Sequence, residues 1–328
     1  MSEFSVRTAL PRRHVLQVSE AEAGRIWAGL RNRIDGRDMN EASPDEIVSV
    51  AAGVPGLLPE GLLRSLHEFR SDPPESDVHL VRGLIPRETE FERTPASSTA
   101  PFGSPESQAA ALLLLGVMGL VGEPFNFRTL YEGRIVQHVV PVSRMEHTQT
   151  GESSKGTLDW HVEDGFTADR CDHFGLLCVR GDTSAVTEFA GVRDLRLPDA
   201  AGAVLREPRF AMAPDTAHVL QTPRAAVTAV ISGPAHAPEI CYDAHYLTPS
   251  DPGDHEAAEA LALLAGALDR VKAGHVLEQG DLLLLDNRRV VHARTSFDAR
   301  YDGADRWLMR TMVCSSVPAY RRRAGRII

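Results

Sequence analysis

Apolar residues recur at helical spacing in the first third of the chain and in short strand-like runs thereafter. Ser19-Glu20-Ala21-Glu22 has the form of a capping box, and Ile26, Trp27 and Leu30 follow on one helical face. Ser43-Pro44-Asp45-Glu46 repeats the signal with proline in the first turn. Leu62, Leu63, Leu66 and Phe69 form a third amphipathic stripe. Residues 71–105 are rich in Pro, Ser and Glu, and are predicted to be irregular around a short strand at 78–84. Residues 107–120 are apolar on every side, which predicts a buried helix.

From Arg134 the texture changes. Short β-like runs occur at 134–142, 174–180, 185–190, 226–232, 281–286 and 306–313, punctuated by Gly, Pro and Asp. One further helix is predicted over 255–272. The expected fold is mainly β with flanking helices, a sandwich or jelly roll. A single domain over 1–328 is expected, with a mostly helical part at 1–125 and a strand-rich core at 126–316.

A formal net charge of -10 disfavours nucleic acid as a partner. The four cysteines have no CxxC spacing and read as reduced thiols of a cytoplasmic protein. The opening MSEFSVRTALPRRH has no apolar segment of a signal peptide. The longest apolar run, 109–121, falls short of the roughly 20 residues that span a bilayer, so no membrane partner is expected. The basic run Arg321-Arg322-Arg323-Ala324-Gly325-Arg326 reads as a solvated terminus. Nothing in the sequence sets an oligomeric state.

The candidate chemistry starts at Trp160-His161-Val162-Glu163-Asp164. On a strand His161 and Glu163 would face the same side, about 7 Å apart along it. With 13 histidines and 45 acids in 328 residues, chance alone gives about two His-x-acid triplets, so this one carries nothing by itself. His292 follows Val290 and Val291, the pattern of a strand lining a core, where an imidazole needs a partner. Two His and one carboxylate form a facial triad suited to non-haem Fe(II), with three positions left open. In Arg306-Trp307-Leu308-Met309-Arg310 the two arginines share a face. If that face is interior, anions must meet them; otherwise they are exposed on an edge strand with Trp307 and Met309 in the core.

His161-x-Glu163, then GDLLLLDNRRVVHARTSF, then RYDGADRWLMR together resemble the clavaminate-synthase-like Fe(II)/2-oxoglutarate oxygenases. Within them the chain looks most similar to the arginine and asparagine β-hydroxylases of peptide antibiotic pathways. The likeness spans roughly 130–313 and implies a double-stranded β-helix, a distorted jelly roll. It implies His161, Glu163 and His292 as iron ligands, with 2-oxoglutarate and O2 as cosubstrates. Arg306, fourteen residues past His292, would bind the distal carboxylate of 2-oxoglutarate, with Thr187 beside it. Arg310 would bind the α-carboxylate of a small amino acid substrate and Glu132 its amine. Asp243 stands where those arginine hydroxylases place the first of two aspartates that clamp the guanidinium. His245 stands in place of the second.

A basic amino acid is therefore the expected substrate, free rather than carrier-bound, since a thioester has no carboxylate for Arg310. An amide such as asparagine, or desaturation on the same scaffold, is the alternative. From other classes, the same ligands would suit a zinc hydrolase, and a jelly roll without metal would be a binding protein. Glu132, Asp243 and His245 read equally as loop residues outside any pocket, and Thr187 as an ordinary strand threonine.

Overall fold

Helices form where the two capping signals and the third amphipathic stripe stand. The computed structural model describes residues 15–71, 77–221, 224–315 and 326–328. The opening segment 1–14 and the basic run at 321–325 lie outside the described residues. The helices are α1 (Glu20–Ile34), α2 (Pro44–Ala51), α3 (Glu60–Arg70), α4 (Pro105–Met118), α5 (Asp199–Leu205) and α6 (His255–Val271). Both capping boxes are closed: Glu22 accepts the Ser19 N–H at 2.9 Å, and Glu46 that of Ser43 at 2.8 Å. Such a cap stabilises a helix start by about 1 kcal/mol.

The strands are β1 (Val15–Gln17), β2 (Val78–Arg82), β3 (Glu123–Phe125), β4 (Gln137–Val139), β5 (Leu158–His161), β6 (His173–Arg180), β7 (Val186–Gly191) and β8 (Phe210–Met212). They continue with β9 (Ala226–Thr228), β10 (Ile231–Ser232), β11 (Glu239–Ile240), β12 (Leu247–Pro249), β13 (Ala273–Val276), β14 (Leu282–Asp286), β15 (Val290–Arg294) and β16 (Trp307–Cys314). A seven-stranded sheet runs β1-β2-β14-β6-β16-β3, with β4 also on β16, and a four-stranded sheet runs β13-β7-β15-β5. Among the described strands β1 and β2 pair in parallel and the others antiparallel.

These sheets lie between helices. One face of the larger sheet, with Leu282, Leu284, Trp307 and Met309, packs under α1 to α4. Its other face, with Phe174, Leu283, Leu285 and Leu308, meets Phe189 and Val290 of the smaller sheet. The far face of the smaller sheet packs Val291 and Ala293 against α5 and α6. Cover on both faces explains the unbroken apolar run of β14, since neither set of side chains meets water. It also settles the register of β16. With Trp307 and Met309 under the helices, Arg306 and Arg310 face the space between the sheets.

The prediction for 134–142 is corrected. Only Gln137–Val139 is strand, because Tyr131, Glu132 and Gly133 all take positive φ and turn the chain before it. Likewise β5 stops at His161, so Glu163 lies past the strand end. Among the described residues no single helix is long and apolar enough to cross a membrane. The most apolar, α4, is almost wholly buried within the protein.

Candidate metal centre and cosubstrate pocket

β5 and β15 pair with His161 opposite His292. This brings the two imidazole rings to 4.0 Å between centroids. Glu163 joins them, and the ligand atoms of His161, Glu163 and His292 all lie within 4.8 Å of one another. Glu163 is held there by its backbone. The Asn287 side chain accepts its N–H at 2.8 Å and donates to its carbonyl at 3.0 Å and to that of Cys171 at 3.1 Å. His161 Nδ1 lies 2.7 Å from the Asp159 carbonyl oxygen, which can only accept, so Nδ1 carries the proton and Nε2 is free to bind a metal.

Charge is arranged around this trio. Burial raises the Glu163 carboxyl, but Arg310, then His292 and His161, outweigh it and hold it far below the usual carboxylate range. Glu163 Oε2 accepts from Arg310 Nη1 at 2.5 Å, while Oε1 lies 3.5 Å from His292 Nε2. One oxygen is thus taken by the guanidinium and the other faces the imidazoles, which suits a single metal–oxygen bond. Burial, then the charge of His161, lowers His292 to about 4, so it is neutral and able to ligate. A buried neutral imidazole at His292, the half-buried His161 with Nε2 facing the site, and one ionised carboxylate fit a divalent iron ion.

Arg310 Nε donates to Gln137 Oε1 at 2.8 Å, its Cζ lies 5.7 Å from the Tyr131 ring centre, and no acceptor among the described residues meets its Nη2. Arg306 is buried and donates to Thr187 Oγ1 at 3.3 Å. Burial lowers Arg306 to about 10.

The pocket beside the trio is lined by Tyr131, Asp159, Asp164, Asp215 and Asp243, together with Arg310. Asp243 lines it, with its Oδ1 accepting the N–H groups of His245 and Tyr246. His245 does not. It is exposed, and its ring stacks edge-on against Tyr246. Glu132 is also misplaced by the sequence reading. At φ 58 it points away and lines a separate surface hollow with Met39 and Phe102, leaving Tyr131 in the pocket.

Sequence reasoning missed Asn287, Gln137, Tyr131, Asp164 and Asp215. Asp215 is pushed up first by burial and then by Asp164. Asp164 Oδ1 is 2.8 Å from His218 Nε2, while its Oδ2 is buried without a hydrogen-bond partner.

Two His and a carboxylate at the mouth of a space between sheets, with buried arginines across from them, define a non-haem iron oxygenase that takes a dicarboxylic cosubstrate. The chain belongs to the taurine catabolism dioxygenase TauD, TfdA family, which it matches over residues 98–312. It is thus a dioxygenase that depends on Fe(II) and 2-oxoglutarate. Over 283 residues it is 33% identical to enduracididine beta-hydroxylase of Streptomyces hygroscopicus, covering 77% of this chain and 81% of that one. It is 36% identical over 266 residues to L-asparagine oxygenase of Streptomyces coelicolor, covering 79% and 77%. With clavaminate synthase 2 of Streptomyces clavuligerus it shares 33% over 279 residues, 82% of each chain.

Among solved structures it is similar to asparagine oxygenase in complex with Fe(II), 2S,3S-3-hydroxyasparagine and succinate. The TM-score is 0.82 at 31% identity, over 95% of this chain and 96% of that one. It is similar also to the non-haem iron oxygenase OrfP in complex with Fe, succinate and (3S)-hydroxy-L-Arg, with a TM-score of 0.84 at 26% identity, over 96% and 99%.

Proposed function

We propose that this chain hydroxylates an unactivated C–H bond, at Cβ, of a free L-amino acid with a basic side chain. One observation carries the choice of a basic side chain: Asp159, Asp164, Asp215 and Asp243 line one pocket beside the trio, with a single facing arginine, Arg310. Crowded carboxylates destabilise one another, and a bound cation relieves that strain. The solved OrfP complex with a hydroxylated arginine supports the same reading.

The two facing sheets are read here as a jelly-roll core, with the trio at its mouth. His161, Glu163 and His292 would hold Fe(II). Arg306 and Thr187 would receive the distal carboxylate of 2-oxoglutarate. Bound iron, O2 and the 2-oxo acid together supply the oxidising power that exchanges one C–H hydrogen for hydroxyl, with succinate and CO2 leaving.

The chain's own part is placement. Arg310 Nη2 is free to donate to the substrate α-carboxylate, while Asp215 and Asp243 receive the far cationic end. Fixing both ends leaves Cβ as the carbon nearest the iron. Tyr131, whose hydroxyl burial holds protonated well above the usual range, closes the pocket beside Arg310 without adding charge. The free thiols of Cys171, Cys178, Cys241 and Cys314 support work in the cytoplasm.

An amide substrate is the second reading, favoured by the likeness to L-asparagine oxygenase. Succinate release measured across arginine, ornithine, lysine, cyclic arginine analogues and asparagine separates the two, with product mass showing gain of one oxygen. Asp215→Asn and Asp243→Asn should each raise KM for a basic substrate by about 10–100-fold while moving KM for 2-oxoglutarate little. Turnover of asparagine alone, untouched by either change, would refute the basic assignment.

A further inference from the structure

Arg294 stands two residues past His292 on β15, so period two turns it toward the same interior face. Its partner across the ladder on β7 is Thr187, the residue whose hydroxyl meets Arg306. Phe297 lies against both guanidinium groups, its ring centre 4.9 Å from Arg294 Cζ and 6.0 Å from Arg306 Cζ. Both arginines are buried, at 4% and 6% exposure.

Two like charges crowded into a dry space repel strongly. Yet among the described residues no carboxylate lies within ion-pair distance of either. Arg294 spends its outer nitrogens on neutral oxygens: Nη2 on Ser153 Oγ at 2.7 Å and Nη1 on the Thr295 carbonyl at 3.2 Å. Its Nε–H is buried with no acceptor at all. A folded protein does not ordinarily keep paired buried cations and an orphan donor without an anion to meet them.

We infer that Arg294 and Arg306 together form a two-arginine seat for the distal carboxylate of the 2-oxo acid, with Arg294 setting the preference for a dicarboxylic cosubstrate. This rests on the reading of Arg306 and Thr187 above. It adds a second cation to that subsite and gives the orphan Nε–H a partner. The competing role is mechanical, with Arg294 bracing the turn at 153–156 through Ser153.

The test is direct binding. 2-Oxoglutarate, and separately pyruvate, which lacks the distal carboxylate, are titrated calorimetrically into the Fe(II)-loaded full chain without O2. Arg294→Gln should weaken 2-oxoglutarate by about 10–100-fold and leave pyruvate unchanged. Arg294→Lys, which keeps the charge without the fork, should recover part of the loss. Ser153→Ala, which removes only the brace, should stay within about twofold of wild type. Thermal unfolding of each variant shows which are folded.

If Arg294→Gln is folded and binds 2-oxoglutarate as wild type does, or Ser153→Ala loses as much as Arg294→Gln, Arg294 is only a brace and the inference falls. Failure of the underlying reading is distinguishable, because Arg306→Gln would then also bind 2-oxoglutarate normally.

Discussion

Asn287 touches neither metal nor substrate in this reading, yet three of its hydrogen bonds hold the backbone around Glu163 and Cys171. It is completely buried. Asn287→Ala would leave one N–H and two carbonyls without partners, at a cost of about 3 kcal/mol in stability. Fe(II) affinity should fall about 10–100-fold, as for residues that orient metal ligands. Chemical denaturation and anaerobic iron titration check the two numbers separately.

This residue shows where sequence reasoning ends. His161, Glu163 and His292 were legible through the order of motifs that resembles the family, not through periodicity alone, since β5 ends at His161 and Glu163 lies beyond it. Asn287 could not, because its role arises only when segments 124 residues apart meet. Glu132 was placed by its position in the family pattern, and nothing in Tyr131-Glu132-Gly133 announces that two non-glycine residues take positive φ. That single turn reverses which neighbour enters the pocket.

At the level of elements, β4 and β16 are clasped by a ring pair. Trp307 Nε1–H donates to His138 Nδ1 at 3.0 Å, so that nitrogen must be unprotonated. Burial, then Arg134, lowers His138 to about 4. A histidine depressed in the folded state contributes stability above its unfolded value near 6.5, and loses it as pH falls toward 4. The contribution at neutral pH is about 3 kcal/mol. The unfolding free energy of wild type minus that of His138→Gln should therefore shrink between pH 6.5 and 4 and stay flat above 7. A difference that grows on acidification would refute this.

The helices and the long strands were legible for related reasons. Capping boxes are local, β14 is an unbroken apolar run, and β16 carries its own periodicity. The short strands β8 to β12 are set by tertiary pairing rather than by runs of their own residues, which is why the prediction over 226–232 merged β9 with β10.

At the scale of the molecule, the larger sheet shares one face with the helices α1 to α4 and the other with the smaller sheet. A single cooperative unfolding transition is expected from cores joined in this way. Because the trio exists only when β5 and β15 are paired and the turn after β5 brings Glu163 beside them, Fe(II) would bind the folded chain alone and should stabilise the whole. At a hundredfold excess over Kd the gain is about 2.7 kcal/mol, read as a rise in Tm that chelation reverses. Glu163→Ala should show no such rise and no turnover.

The backbone of the pocket rim limits how its selectivity could be redesigned. Tyr131 and Asp164 sit at φ 45 and 54, a region that costs β-branched side chains about 1–3 kcal/mol. Libraries seeking a new amino acid should thus randomise 159, 215 and 243 freely, and offer 131 and 164 little beyond Gly, Asn or another aromatic ring.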